Sequence, residues 1–299
     1  MTTSLSRRQA LAASLLVAPA LTAFSGPAFA AGDVGNPESR LAELEKRHAG
    51  RICVRIVNLG TGKTVSHRAD ERILMCSTFK AILAAQVLKA VDEKADALDA
   101  RIRFTKKDVS TAWSPVTEKR VGGAGMTVAE LCEAAVCWSD NTAANLLLKR
   151  FGGPKAVTEL FRSIGDDVSR LDRIEPGLNY HEGPDDQRDT TTAAAMAEDL
   201  RKLLFTDVLS SSSRAQFAAW LIANKTGDAR LRAGLPASWL VGDKTGTNTN
   251  KYGNANDVAV AWPSDRPPVI VTAYCEIPKI ESEERDAVIA EIGRIASEV

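Results

Sequence analysis

Ser77-Thr78-Phe79-Lys80 sets a hydroxyl and an amine three residues apart at the start of an apolar run. On a helix this spacing puts both side chains on one face, close enough to hydrogen-bond. A serine beside a base is a nucleophile, and lysine can be that base only where burial or pairing lets it shed its proton. A helix N-terminus also supplies free N–H groups that favour developing negative charge. The same pair describes a helix-capping serine beside a solvated lysine, so alone it does not establish an enzyme.

Two further patterns follow at domain-scale separations. Ser139-Asp140-Asn141 falls between a capped helix opening Thr127-Val128-Ala129-Glu130 and a helix from Thr142, and Lys244-Thr245-Gly246-Thr247 lies on a strand. Between them, Glu175 and Asn179 share a loop in which a carboxylate and an amide can hold one water, the carboxylate acting as general base. An ordinary surface glutamate before Pro176 is the alternative for Glu175.

The three motifs in this order resemble those of the class A serine β-lactamases. The similarity extends over nearly all of the chain after its leader, through Trp113-Ser114-Pro115-Val116-Thr117-Glu118-Lys119, Gly125-Met126-Thr127-Val128-Ala129-Glu130-Leu131-Cys132, Arg170-Leu171-Asp172-Arg173-Ile174-Glu175-Pro176-Gly177-Leu178-Asn179 and Arg188-Asp189-Thr190-Thr191-Thr192. The resemblance implies that Ser77 attacks a lactam carbonyl and that the backbone N–H groups of Ser77 and Thr247 hold the oxyanion. Lys80, or Glu175 through water, would take the serine proton. Ser139 would relay a proton to the leaving nitrogen with Lys244 nearby, and Glu175 with Asn179 would drive deacylation. Asn141 would bind the substrate's side-chain amide, and Lys244, Thr245, Thr247 and Arg230 its carboxylate, while Trp113 would stand at the cleft mouth. A solvated arginine is the alternative for Arg230, and a core tryptophan for Trp113. The resemblance further implies a cis Glu175-Pro176 bond and an Arg173 to Asp189 ion pair pinning an Ω-loop over about 170–189.

The expected substrates are penicillins and cephalosporins, with carbapenems possible: Cys76 resembles a position that is bridged in carbapenem-hydrolysing relatives, but its partner position here is Asn248. The stretch Asn248-Thr249-Asn250-Lys251 is long for the family's turn. Cys132 lacks the partner used in some relatives, since Ala84 occupies that place. A D-alanyl-D-alanine peptidase shares the Ser77, Ser139 and Lys244 motifs but not the Glu175 and Asn179 loop. An acylated sensor or binding domain would need an attached effector or membrane segment, and the sequence offers none.

The rest of the chain must position these groups. It has 299 residues, 44% apolar and 25% charged, enough for one sizeable core or two adjoining ones. Lys+Arg and Asp+Glu are equal at 38 each, which leaves no basic stripe for nucleic acid. Residues 1–30 read as a signal peptide: Arg7-Arg8, an apolar run from Ala10 to Phe24, and Ala28-Phe29-Ala30. The adjacent arginines suggest the twin-arginine route, and the run is shorter than the roughly 20 residues of a membrane span. A periplasmic or secreted, monomeric protein is expected, with no membrane partner in its mature form. His48, His67 and His181 stand alone as surface residues without metal-ligand spacing, so neither a metal nor a cofactor is expected. Of the five cysteines, Cys53 and Cys275 fall on strands that could be neighbours, so a bridge between them is an expectation to test.

Residues 37–49 have amphipathic helical spacing, 52–59 and 64–69 read as a hairpin, and strands return at 240–247, 257–262 and 269–275 before a helix over 281–299. Between them, 77–222 is a helical block. The expected fold is α/β (α+β): a five-stranded antiparallel sheet flanked by the terminal helices, with an inserted all-helical lobe. Residues 31–76 and 223–299 would form the sheet domain, 77–222 the helical domain including the Ω-loop, with the site in the cleft between them.

Overall fold

The computed structural model describes residues 35–110, 112–183 and 185–299, and the leader expected over 1–30 lies outside them. Helix α1 (Pro37–His48) starts where the Asn36 side chain accepts from Ser39 N, and it buries Leu41 and Leu44. Strands β1 (Arg51–Asn58) and β2 (Thr64–His67) form the hairpin. The helices α2 (Phe79–Asp92), α3 (Val128–Cys137), α4 (Asn141–Arg150), α5 (Gly153–Ser163), α6 (Ala193–Phe205), α7 (Ser211–Ile222) and α8 (Leu231–Gly234) come next. Strands β3 (Leu240–Asn248), β4 (Asn254–Trp262) and β5 (Val269–Glu276) precede the last helix, α9 (Ser282–Ala296).

The strands pair antiparallel in the order β2-β1-β5-β4-β3, the five-stranded sheet expected. Alternation along each strand divides its side chains between two cores. Ile52, Val54, Ile56, Val271, Ala273 and Cys275 pack with Leu41 and Leu44 of α1 and Val288, Ile289 and Ile292 of α9. Cys53, Val258, Val260, Ile270 and Tyr274 face the other way, into the core that the helices share. Helix α2 is buried on almost every side, from Phe79 through Leu88, as suits the central helix of a block. Within 73–191 the chain also forms two short pairings, Ile73–Leu74 with Thr190–Thr191 and Arg101–Ile102 with Met126–Thr127.

Two expectations need correction. Cys53 and Cys275 lie on adjacent strands, but Cys275 is paired with Ile52 and Cys53 with Tyr274, so the two thiols point to opposite faces. No bridge joins them, and all five cysteines are free and buried. Strand β4 starts at Asn254 rather than at 257, because Asn254 and Asn256 are buried polar residues inside it. Asn256 Nδ2 donates to the carbonyls of Leu74 (3.0 Å) and Met75 (3.2 Å), which ties the sheet to the chain just before Ser77.

Candidate active site

Ser77 sits in a single 3-10 turn, Cys76–Thr78, that runs directly into α2. The turn is built from both sides: Met75 N donates to Asp189 O at 3.0 Å, and Thr78 Oγ1 donates to Met75 O at 2.8 Å. Cys76 is held at φ +46° and Ser139 at φ +57°, left-handed conformations that non-glycine residues adopt only under constraint from their surroundings. Both strained residues adjoin or carry groups proposed for chemistry.

Lys80 lies one helical turn beyond Ser77 and is fully buried. Its Nζ donates to Ser77 Oγ (2.8 Å), Ser139 O (2.9 Å) and Asn141 Oδ1 (2.6 Å), and stands 3.0 Å from Glu175 Oε1. Burial pulls the Lys80 amine below its usual value, and the Glu175 carboxylate opposes that pull. Ser77 Oγ donates to Glu175 Oε1 at 3.2 Å. Glu175 is 3% exposed, and its other oxygen accepts from Asn179 Nδ2 at 2.7 Å.

The Ω-loop presents Glu175 through several anchors. The Glu175-Pro176 bond is cis. Buried Asp189 accepts from the backbone N–H of Asp172 (2.7 Å) and Arg173 (2.9 Å) and pairs with Arg173 Nε at 2.5 Å, the ion pair that was expected. Asn145, one turn along α4 from Asn141, grips Glu175 on both sides: its Oδ1 accepts from Glu175 N (3.0 Å) and its Nδ2 donates to Glu175 O (2.9 Å). Sequence reading did not single out Asn145, although its i, i+4 spacing from Asn141 put it on the same helix face.

Ser139 faces Lys244, whose Nζ donates to Ser139 Oγ at 3.0 Å. Lys244 is wholly buried, which together with the nearby Lys80 charge lowers its amine to about 7. Asp140 fixes this corner: it caps α4 through Ala143 N (2.8 Å) and accepts from Val116 N (3.0 Å) and Thr117 N (2.9 Å). On β3, Thr245 shares a 2.5 Å hydrogen bond with Thr226, and exposed Thr247 accepts from Arg230 Nη2 at 2.8 Å. Arg230 is buried against Asp286 (2.7 Å) and the carbonyls of Gly246 (2.9 Å) and Asn256 (2.8 Å), so it is not a solvated arginine.

Strand β3 is a sheet edge, so one row of its backbone groups has no strand partner. A Cβ on Gly246 would come within 2.8 Å of Met75 O and 3.2 Å of Cys76 Cβ, so only glycine lets this edge approach the Ser77 turn. Trp113 is 60% exposed, donates from Nε1 to Trp138 O (2.8 Å) and accepts from Asn141 N through its carbonyl (2.9 Å). It is an exposed residue rather than a core tryptophan. The three histidines are half-buried rather than fully at the surface, each beside a carboxylate: His48 near Glu284, His67 near Glu45 and His181 near Glu276. Among the described residues, no group of three or more His, Cys, Asp or Glu is arranged to hold a metal ion. The fold therefore gathers Ser77, Lys80, Ser139, Asn141, Glu175, Asn179 and Lys244 into one connected network, with Thr245, Thr247 and Arg230 on its β3 side.

Known proteins are similar to this chain over most of its length. A family model described as "Beta-lactamase enzyme family" matches residues 36–299. The chain is 44% identical to β-lactamase OXY-1 of Klebsiella oxytoca over 98% of its own length and 97% of that relative's. It is 48% identical to the carbapenem-hydrolyzing β-lactamase KPC of Klebsiella oxytoca, over 86% of each chain. Among solved structures, an ancestral (GNCA) class A β-lactamase superposes with a TM-score of 0.84 at 57% identity, over 88% of this chain and 99% of the other.

Proposed function

Given that the chain belongs to the class A serine β-lactamase family and is a hydrolase acting on β-lactams, we propose that it opens penicillins and cephalosporins through an acyl-enzyme on Ser77, which water activated by Glu175 then hydrolyses. The observation that carries this reading is the buried Glu175 carboxylate, in contact with Ser77 (3.2 Å), Lys80 (3.0 Å) and Asn179 (2.7 Å). Ser139 O and Asn141 Oδ1 accept hydrogen bonds from Lys80 and the Glu175 carboxylate forms an ion pair with it, which favours a resting ammonium at Lys80. Since that ammonium donates to Ser77 Oγ, the serine proton is free to point at Glu175. Glu175, directly or through a water, or Lys80, whose amine burial lowers, takes the serine proton in acylation, so that step survives loss of the Glu175 carboxylate, whereas activation of the deacylating water is assigned to Glu175 alone.

The oxyanion is assigned to the Ser77 and Thr247 N–H groups, and proton delivery to the leaving nitrogen to Ser139, which Lys244 hydrogen-bonds. Asn141 is assigned to the substrate's side-chain amide, Trp113 to the cleft mouth, and Lys244, Thr245 and Thr247 to the substrate carboxylate. Arg230 acts on that carboxylate through Thr247: by donating to Oγ1 it leaves the hydroxyl proton free to point into the cleft. The proposal places the cleft between a sheet domain of 31–76 and 223–299 and a helical domain of 77–222. It extends to carbapenems on the 48% identity to a relative named for that activity; turnover confined to penicillins would defeat the broader reading, and absence of carbapenem turnover would overturn the extension.

Export to the periplasm or medium as a monomer, and a role in β-lactam resistance, complete the reading. No helix among the described residues is long and apolar enough to cross a membrane. The decisive experiment follows intact-protein mass after adding benzylpenicillin to the wild-type chain and to Glu175→Ala. The wild type is expected to consume the lactam with a transient adduct on Ser77, whereas Glu175→Ala is expected to acylate and stall. Unchanged turnover in Glu175→Ala would remove Glu175 as the deacylation base. A stable wild-type adduct would point instead to a peptidase or sensor.

A further inference from the structure

The turn joining β3 to β4 reaches across to the Ω-loop. Asn248 Nδ2 donates to the Asn179 carbonyl, and Asn250 Nδ2 donates to the same oxygen at 3.1 Å. Two residues further on, the Tyr252 hydroxyl donates to His181 O at 3.3 Å, and its ring meets the His181 imidazole edge-on, with centroids 5.2 Å apart and planes at 85°. The turn is internally braced: Asn250 N donates to Asn248 Oδ1 (3.1 Å), Tyr252 N to Asn250 Oδ1 (2.9 Å) and Gly253 N to Asn250 O (3.0 Å). It is also tied to the body, since Ile277 N donates to Gly253 O at 3.1 Å.

What the turn grips is the residue that holds Glu175. Asn179 accepts from the turn with its carbonyl and donates to Glu175 Oε2 with its side chain, so displacement of its backbone would carry the carboxylate with it. Just beyond, a cavity of ≈ 600 Å³ is lined by Arg72, His181, Asp186, Thr190, Tyr252 and Glu276. The segment after Asn179 borders this space, and hydrogen bonds hold it: Arg173 Nη2 donates to Tyr180 O at 2.5 Å, and the turn supplies the rest.

We propose that Asn250 and Tyr252 are positioning residues for Glu175, a two-point latch that fixes the Asn179–His181 backbone and thereby sets the rate of deacylation. The proposal rests on the reading of Glu175 as the deacylation base. Two near-isosteric variants separate the latch from the fold. Asn250→Asp keeps the acceptor for Tyr252 N but loses one of the two donors to Asn179 O, leaving that of Asn248, and Tyr252→Phe keeps the ring contact but loses the hydroxyl. In the full mature chain with benzylpenicillin, the double variant is expected to deacylate about ten-fold more slowly, with acylation unchanged within about two-fold. Accumulating acyl-Ser77 should then lower kcat and KM together, with each single variant showing a smaller change in the same direction.

Glu175→Ala, measured alongside, tests the premise separately. If Glu175→Ala stalls while both latch variants deacylate at the wild-type rate, the latch is overturned and the reading of Glu175 stands. If the variants slow acylation and deacylation equally, the turn has only a general structural role and the proposal fails. If Glu175→Ala does not stall, the premise itself is wrong.

Discussion

Two buried lysines meet around Ser139, and they differ in what surrounds them. Lys80 is ringed by acceptors that include the Glu175 carboxylate, whereas Lys244 contacts a hydroxyl and its neighbour's carbonyl, so burial and the Lys80 charge lower it to about 7. Lys244 therefore carries its charge below that pH and loses it as pH rises. If the ammonium is what binds the substrate carboxylate and supports proton delivery by Ser139, kcat/KM should fall on the alkaline side, with a midpoint far below that of an ordinary lysine. In Lys244→Arg the charge persists to much higher pH, and the alkaline limb should move up with it. A limb left in place by that substitution would belong to another group.

The elements that bring these side chains together were readable in the sequence wherever one segment alone determined them. The strands and terminal helices fall within a few residues of their expected bounds because periodicity records which face is buried. Ser77 and Lys80 were legible because one helical turn relates them. Contacts between distant segments were not: the grip of Asn145 on Glu175 spans 30 residues and that of Asn250 on Asn179 spans 71. Register was equally hidden. A shift of one residue decides whether Cys53 faces Cys275 or the opposite core, and because these strands bury side chains on both faces, their apolar pattern does not reveal which. Gly246 belongs to this scale, because it sets how closely the β3 edge approaches the Ser77 turn. Gly246→Ala would push a methyl group to within 2.8 Å of Met75 O, so the strand or the turn must move. A displacement on the order of 1 Å is expected to lower kcat/KM about a hundred-fold, and stopped-flow acylation of Ser77 would read it directly. Wild-type acylation in that variant would show that the edge has slack.

Across the whole molecule, the two cores share the sheet and all five cysteines are buried. Burial raises every one of these thiols, Cys53 and Cys137 to about 12, so thiolate is scarce at neutral pH. The folded chain should therefore react slowly with thiol reagents and release all five sulfhydryls on denaturation, with identical peptide maps before and after reduction. Fast labelling of any one would show local opening at that site. The protection depends on sequence of events in time: it exists only once the cores have closed, and an unfolded chain offers five competent thiols to any oxidant present. Folding and oxidation are thus in a race, and wrongly paired cysteines would lock out the sheet register that keeps Cys53 and Cys275 apart. Refolding with a reductant should recover more active chain than refolding with oxidised glutathione, although the native protein contains no bond for either reagent to act on.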